Sequence, residues 1–172
     1  MLTAHELFGF MSPSLAADIL SFTFESDKPT YRAILASVAE LRKVRPVFLE
    51  RQPRQQRHET MLSSLSKPAM EVVSTNLIRN WLLKKHNAIL VQFLDSLKIA
   101  HSEGIVDSLP AAVEDKSLTE AVDGLLAKFP HEVVAVYLSA FNDMNEANWP
   151  NLKKMLEDDT RLQLGGGSST PA

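Results

Sequence analysis

The sequence predicts an all-α protein, a compact domain of six to eight short helices. Two observations carry this prediction. Apolar residues recur every three to four positions over most of the chain, which is the period of one helical face. Seven of the nine prolines also stand where such a pattern begins, and a helix tolerates proline in its first turn because the missing N–H has no intrahelical acceptor there. These prolines are Pro13, Pro29, Pro46, Pro53, Pro68, Pro130 and Pro150.

The first half of the chain is predicted to contain five helical pieces. The first covers residues 4–8, and Ser12 caps a second helix that opens at Pro13. Phe22 and Phe24 flank Thr23 like a short strand, but three residues do not outweigh the helical pattern around them. The remaining pieces are a helix over residues 29–44 capped by Asp27 or Lys28, a half-turn at residues 46–50, and a polar helix over residues 53–66.

Residues 68–101 form the central stretch around which we expect the core to be built. A single helix of this length would run about 50 Å, whereas a compact chain of this size has a radius of gyration of about 16 Å. We therefore predict a break within residues 84–88, where Asn87 can cap either piece. The apolar residues fall on two roughly opposite faces, with Met70, Val73, Leu77 and Trp81 before the break and Leu90, Phe93, Leu94 and Leu97 after it.

The second half is predicted to continue as helices joined by one long loop. Gly104 should end the second central helix as a left-handed cap, and residues 105–116 should form the loop. Ser117 and Glu120 have the spacing of a capping box that opens a helix to Lys128. Further helices should open at Pro130 and Pro150. We expect one domain over residues 1–162, followed by a disordered Gly/Ser/Pro tail over residues 163–172.

A weak internal similarity suggests two related three-helix units. Six residues between Leu65 and Leu77 recur 61 positions later, between Leu126 and Leu138. On this interpretation, helices at 53–66, 68–84 and 88–101 correspond to helices at 117–128, 131–143 and 150–159. The alternative is chance, because amphipathic helices share Leu, Val and Lys.

The charge of the chain is strongly uneven although the total is only −3. Residues 1–41 carry a net charge of −3, residues 42–86 carry +7, and residues 87–159 carry −8. Clustered charge of this kind steers partners, whereas the total charge mainly sets solubility. The basic stretch is therefore the first place to look for a binding function.

Several functional classes receive no support from the sequence. No cysteine, secretory start or apolar run of about 20 residues is present, so we expect a cytoplasmic protein that does not enter a membrane. His5, His58, His86, His101 and His131 lack ligand spacing and are expected at the surface or at caps, without a metal or cofactor. The acidic pairs (Glu114 with Asp115, Asp158 with Asp159, and Glu103 with Asp107) are expected to be solvated, and no catalytic motif occurs.

The one candidate site is the basic segment 42–58. Arginine binds carboxylates and phosphates in a bidentate manner, so the segment suits an anionic partner. Three interpretations stay open: solvated surface or pairing with the acidic second half of the chain, an acidic protein partner, and nucleic acid. Phe48 is the only aromatic residue here, and a nucleic-acid site usually has more. The candidate residues are Arg42, Lys43, Arg45, Arg51, Arg54 and Arg57.

We therefore predict a non-catalytic helical protein-interaction or adaptor domain, which binds a protein partner or a second copy of itself. The alternatives are a nucleic-acid-associated regulator that uses residues 42–58, and an enzyme or small-molecule binder without a recognisable motif. Trp81 is expected in the core. Trp149 is expected either to fasten the last helix to the core or to lie exposed at an interface.

Overall fold

The computed structural model describes residues 2–165, and it is all-helical as predicted. Helices account for 73% of it, and no strand occurs among the described residues. The α-helices are α1 (Ala4–Phe10), α2 (Pro13–Ser26), α3 (Lys28–Leu41), α4 (Pro46–Glu50), α5 (Arg54–Leu65), α6 (Glu71–Lys85), α7 (Asn87–Ser96), α8 (Asp115–Lys128), α9 (His131–Met144) and α10 (Pro150–Asp158), with 3-10 turns at Pro68–Met70 and Thr160–Leu162.

The predicted total of six to eight helices is wrong, because the described residues contain ten α-helices. The excess comes from very short pieces such as α1 and α4, with seven and five residues. Such helices are not stable in isolation. Here they are held by buried side chains, Leu7 and Phe8 in α1 and Leu49 in α4, so tertiary packing keeps them folded.

Most helix starts follow the sequence closely. Ser12 accepts a hydrogen bond from the Leu15 N–H at 3.2 Å and caps α2. Asp27 caps α3 by accepting from the Thr30 N–H at 3.1 Å. The N–H groups of a first turn have no intrahelical acceptor, so these side chains satisfy groups that would otherwise need water.

The predicted break between the central helices is confirmed, but its cap is not Asn87. The break falls at His86, whose φ of −116° and ψ of 26° are not helical. Asn87 is instead the first residue of α7, and its side-chain amide donates to the backbone oxygen of Glu103. The Asn87 side chain, which we predicted to cap a helix, therefore forms a tertiary hydrogen bond instead.

The predicted end of the second central helix is wrong. Helix α7 ends at Ser96, and Lys98 adopts the left-handed conformation with φ of 56°. The Ile99 N–H donates to the Leu94 oxygen at 2.9 Å, which is the six-to-one bond of a Schellman motif. Gly104 is also left-handed, with φ of 87°, but it belongs to a turn closed by a β-bridge between Ser102 and Ile105.

The capping box at Ser117 and Glu120 is also wrong. Helix α8 begins two residues earlier, at Asp115, and Ser117 lies within its first turn. The side-chain amide of Asn151 donates to the Asp115 carboxylate at 2.9 Å and to the Val113 oxygen at 2.9 Å. The start of α8 thus coincides with a tertiary contact from α10, which local sequence spacing does not indicate.

The described residues form two compact units, which divide within α6. One comprises Thr3–Trp81, and the other comprises Leu2 with the described residues from Leu82 onward. The second unit is built around a chain of aromatic contacts, in which the Phe93 ring lies 5.6 Å from Tyr137 and 5.2 Å from Phe141. Phe141 lies 5.4 Å from Trp149, which is fully buried and donates from Nε1 to the Pro110 oxygen at 2.9 Å.

The unit Thr3–Trp81 carries the candidate site, and α5 lies at its centre, packed against α1, α2 and α3. The predicted central stripe is largely buried here: Met70, Leu77 and Trp81 are buried, whereas Val73 is partly exposed.

One domain over residues 1–162 stays a prediction. The predicted disordered tail lies outside the described residues from residue 166 on, and none of the helices in the described range is long and apolar enough to span a membrane.

Candidate functional site

Residues 41–48, which we call the 41–48 segment, form an uninterrupted exposed stretch that runs from the last residue of α3 into the first half of α4. It contains four of the seven large apolar side chains that are exposed in the described part of the chain. Phe48 is the most open of the four, with 59% of its surface exposed. The four apolar residues are Leu41, Val44, Val47 and Phe48. The other residues of the segment are Arg42, Lys43, Arg45 and Pro46.

The backbone of the 41–48 segment is held at both ends. On the α3 side, Lys43 adopts a left-handed conformation with φ of 55°, and the Val44 N–H donates to the Ala39 oxygen at 3.0 Å. This is again the six-to-one bond of a Schellman motif. On the α4 side, Pro46 sets the first helical turn, and Leu49 is buried. The exposed side chains are therefore presented on a defined backbone.

Arg42 is the basic residue of the segment that the fold engages. Its Nε donates to the Ser64 hydroxyl at 2.8 Å. Ser64 is buried and donates in turn to the Thr60 oxygen at 3.0 Å, so the guanidinium is fixed against α5. Lys43 and Arg45 make no ion pair within the described residues. Both cations are thus available to an external anion.

Arg54 and Arg57 of α5 converge on an aromatic pair. Their guanidinium carbons lie 4.7 Å and 5.9 Å from the centre of the Phe24 ring, and Phe24 meets Tyr31 edge to face at 5.1 Å. Arg54 also forms an ion pair with Glu25, with 3.2 Å between Nη2 and Oε1. Cations over aromatic faces are attracted by the ring quadrupole. These two arginines therefore have structural roles, which their spacing on the helix did not predict.

Tyr31 connects Arg57 to His58. The Arg57 Nε donates to the Tyr31 hydroxyl at 3.0 Å, and the His58 Nε2 lies 2.9 Å from the same oxygen. Burial, reinforced by the charges of Arg54 and Arg57, lowers the pKa of His58 to about 4. Burial also raises the pKa of Tyr31, although the same arginines oppose this rise. Near neutral pH the tyrosine therefore keeps its proton, and the imidazole bonded to it is neutral.

The prediction that the histidines lie at the surface or at caps is wrong for His58, which is buried. The sequence held a signal that was missed, because His58 stands three and seven positions before Met61 and Leu65, the buried anchors of α5. Its partner Tyr31 is 27 residues away and could not be found from local spacing. In the described part of the chain, no three His, Asp or Glu side chains are grouped closely enough to hold a metal ion.

A cleft of about 540 Å³ opens beside this cluster. It is formed by α2, α3, α4 and α5, and its cations outnumber its single carboxylate. Lys28 and Arg32, one helical turn apart on α3, have no ion pair in the described structure. The lining residues are Phe24, Lys28, Tyr31, Arg32, Leu35, Glu50 and Arg57.

The six predicted site residues thus separate into different environments. Lys43 and Arg45 form no ion pair in the described part of the chain, Arg51 is exposed at the end of α4, and Arg42, Arg54 and Arg57 are engaged with the fold. The partners that the structure gives to these three, such as Glu25 and Tyr31, lie within the unit Thr3–Trp81. That the residues bind an anionic partner stays a prediction.

The chain matches no protein-family model, no curated protein and no solved structure.

Proposed function

We propose that this protein is a non-catalytic interaction domain that binds a protein partner through the 41–48 segment. The observation that carries the proposal is the placement of four exposed apolar side chains among Arg42, Lys43 and Arg45 within eight consecutive residues. Exposed apolar residues scattered singly need no explanation, but a concentrated group is typical of an interaction surface.

The chemistry of the segment defines the partner. Burial of Val44, Val47 and Phe48 would provide apolar contact area, and an aromatic anchor is often the main contributor to an interface. Lys43 and Arg45 have no carboxylate among their neighbours in the sequence from residue 41 to residue 48. The matching partner is a protein with an apolar depression bordered by Asp or Glu side chains.

The fixed backbone of the segment favours binding. A loop that must become ordered on binding loses conformational entropy at that moment, which weakens the complex. The Schellman bond to Ala39, the hydrogen bond of Arg42 to Ser64 and the burial of Leu49 hold the segment before any partner arrives. Most of the loss of conformational entropy therefore occurs when the protein folds, and little of it opposes binding.

Affinity capture with the whole chain from the cells that make it tests this proposal. The parent should retain a specific protein, and the purified pair should form a stoichiometric complex. Phe48→Ser should weaken that complex by at least about tenfold, the loss expected when a large apolar contact of about 1.5 kcal/mol or more is removed. Lys43→Glu with Arg45→Glu should weaken it as well, and more strongly at low salt than at high salt.

Two matched controls make the test specific. Val72→Ser replaces another exposed apolar residue, and Lys67→Glu with Arg79→Glu reverses two other exposed cations of the same unit. Both should bind like the parent. Loss of binding in the controls, or unchanged binding in the Phe48 variant, would contradict the proposal. Saturable binding of the parent to duplex DNA or RNA, abolished by the Lys43 and Arg45 changes, would favour the nucleic-acid alternative instead.

Sedimentation of the purified chain separates a foreign partner from self-association. The basic stretch 42–86 and the acidic stretch 87–159 have opposite net charge, so two copies could pair through them. In that case the parent should dimerise at low salt, and the Phe48→Ser chain should remain monomeric.

We place the domain and its protein partner in the cytoplasm, a location that the absence of cysteine supports.

We also propose that α5, α6 and α7 are related to α8, α9 and α10 as two three-helix units. The helix lengths support this, with 12, 15 and 10 residues in the first set and 14, 14 and 9 in the second. The division into compact units cuts the first set within α6, so the relation concerns the order of helices along the chain. Experimental coordinates in which the two sets do not superpose would refute it.

A further inference from the structure

We propose that the cleft between α2, α3, α4 and α5 binds a small organic anion with a planar or apolar body. This inference is independent of the 41–48 segment and does not rest on the interaction proposed above. It rests on three features that meet in one place: an aromatic and aliphatic wall, three cations, and a guanidinium whose position is fixed.

The apolar part of the cleft suits a ring or a short hydrocarbon. Phe24 and Tyr31 contribute aromatic surfaces that are held edge to face at 5.1 Å, and Leu35 lies one turn beyond Tyr31 on α3. The volume of about 540 Å³ is within the range of small-molecule sites, which is roughly 300–1,000 Å³. Such sites combine apolar walls with a few placed polar groups.

The polar part of the cleft suits an anion. The lining contains three cations, Lys28, Arg32 and Arg57, and one carboxylate, Glu50, so it carries a net charge of +2. The guanidinium of Arg57 is held by Nε on the Tyr31 hydroxyl at 3.0 Å and by Nη1 on the Glu50 backbone oxygen at 3.1 Å. Only part of its five N–H donors is used by these bonds, so others remain for a ligand carboxylate or phosphate.

The fixed and the free cations would have different tasks. Because Arg57 is already oriented, it can set the position of the anionic group with little loss of side-chain entropy. Lys28 and Arg32 have no ion pair within the described residues and can close on the anion from α3. A carboxylate and a phosphate share this chemistry, and the experiment distinguishes them.

NMR titration of the whole chain with phenyl phosphate tests the inference. Amide shifts should saturate and should concentrate in residues 24–35 and 50–57. Inorganic phosphate and phenol, which each carry half of the ligand, should bind more weakly than phenyl phosphate. Benzoate is titrated in parallel: tighter binding of benzoate identifies a carboxylate as the preferred anion, and tighter binding of phenyl phosphate identifies a phosphate.

A charge-matched pair of double variants makes the test specific. Lys28→Gln with Arg32→Gln should weaken binding by at least about tenfold, because charge-assisted hydrogen bonds are the strong ones. Lys67→Gln with Arg79→Gln removes the same charge from exposed positions of the same unit and should leave binding nearly unchanged. Phe24→Leu should weaken phenyl phosphate more than inorganic phosphate, because only the former has a ring to stack.

Three results would overturn the inference. The first is the absence of saturable binding up to about 10 mM ligand. The second is an equal loss in both double variants, which would mean that only the overall charge attracts the probe. The third is binding of inorganic phosphate as tightly as phenyl phosphate, which would remove the apolar part of the site. Thermal unfolding of each variant confirms that the fold is intact.

Discussion

The Tyr31 hydroxyl and the His58 imidazole lie 2.9 Å apart, oxygen to Nε2, inside the unit Thr3–Trp81. The Arg57 Nε donates to the same oxygen, so two side chains of α5 bond to the Tyr31 hydroxyl. The Tyr31 hydroxyl thus ties α3 to α5 through a buried polar contact. The basic helix α5 is thus part of the core on one side and of the candidate cleft on the other.

The low pKa of His58 predicts a loss of stability in mild acid. In the unfolded chain His58 titrates near its ordinary value of 6.5, whereas in the folded chain its pKa is about 4. As the pH falls through this window, the unfolded state binds a proton that the folded state resists, so the free energy of unfolding decreases. Between about pH 7 and about pH 4.5, this one group should cost the parent about 2 kcal/mol.

The variant His58→Gln should lack this component and should show a flatter dependence of unfolding free energy on pH. Urea unfolding at several pH values measures the difference. His131→Gln, at an exposed position, is the control and should follow the parent. If His58→Gln lost stability in acid as steeply as the parent, His58 would not be held neutral by its burial and by Arg54 and Arg57.

Two residues of α6 should differ strongly in their contribution to stability. Leu77 is fully buried, whereas 73% of the Val72 side chain is exposed. Leu77→Ala should therefore lower the free energy of unfolding by about 2–5 kcal/mol, because it removes buried methyl groups and leaves a cavity. Val72→Ala should stay within about 0.5 kcal/mol of the parent. Equal effects of the two changes in thermal or denaturant unfolding would mean that the buried face of α6 is assigned wrongly.

Most helix starts could be read from the sequence, with the start of α8 as an exception, whereas several helix ends could not. The starts are local, since Ser12 and Asp27 bond to N–H groups three residues away. The ends at Leu41 and Ser96 depend on Lys43 and Lys98 in left-handed conformations, which lysine adopts only at a cost. Backbone hydrogen bonds from Val44 to Ala39 and from Ile99 to Leu94 accompany these conformations, and the sequence shows no glycine there.

The candidate site was predicted in its composition but not in its arrangement. The basic segment is evident from charge alone. Which of its residues bond to the rest of the fold, however, depends on partners far away in the sequence. Arg42 bonds to Ser64, 22 residues away, and Arg57 bonds to Tyr31, 26 residues away. The exposed apolar residues of the 41–48 segment could not be recognised either, because Leu41 continues the inner stripe of α3 by spacing but is exposed.

The glycine-to-alanine change should have opposite signs at two positions. Gly104 has φ of 87°, and a Cβ added there would lie 2.8 Å from the Leu90 Cβ. Gly104→Ala should therefore destabilise the protein by more than about 1 kcal/mol, through strain and a steric clash. Gly124 lies inside α8, where an added Cβ meets only the Gln92 amide at 3.5 Å. Gly124→Ala should stabilise by about 0.5–1 kcal/mol. Melting temperatures that shift in the same direction would contradict this contrast.

The two tyrosines should respond oppositely to replacement by phenylalanine. Tyr137 is buried in α9, and among the described residues its hydroxyl has no hydrogen-bond partner. A buried hydroxyl without a partner costs about 1–3 kcal/mol, and Tyr137→Phe removes it while keeping the edge-to-face contact with Phe93. We expect the free energy of unfolding to rise by about 1 kcal/mol.

Tyr31→Phe removes a hydroxyl that serves both Arg57 and His58, so it should lower stability by about 1–2 kcal/mol. Denaturant unfolding of both variants at neutral pH measures the pair, and a loss of stability in Tyr137→Phe would mean that a buried water satisfies that hydroxyl in solution.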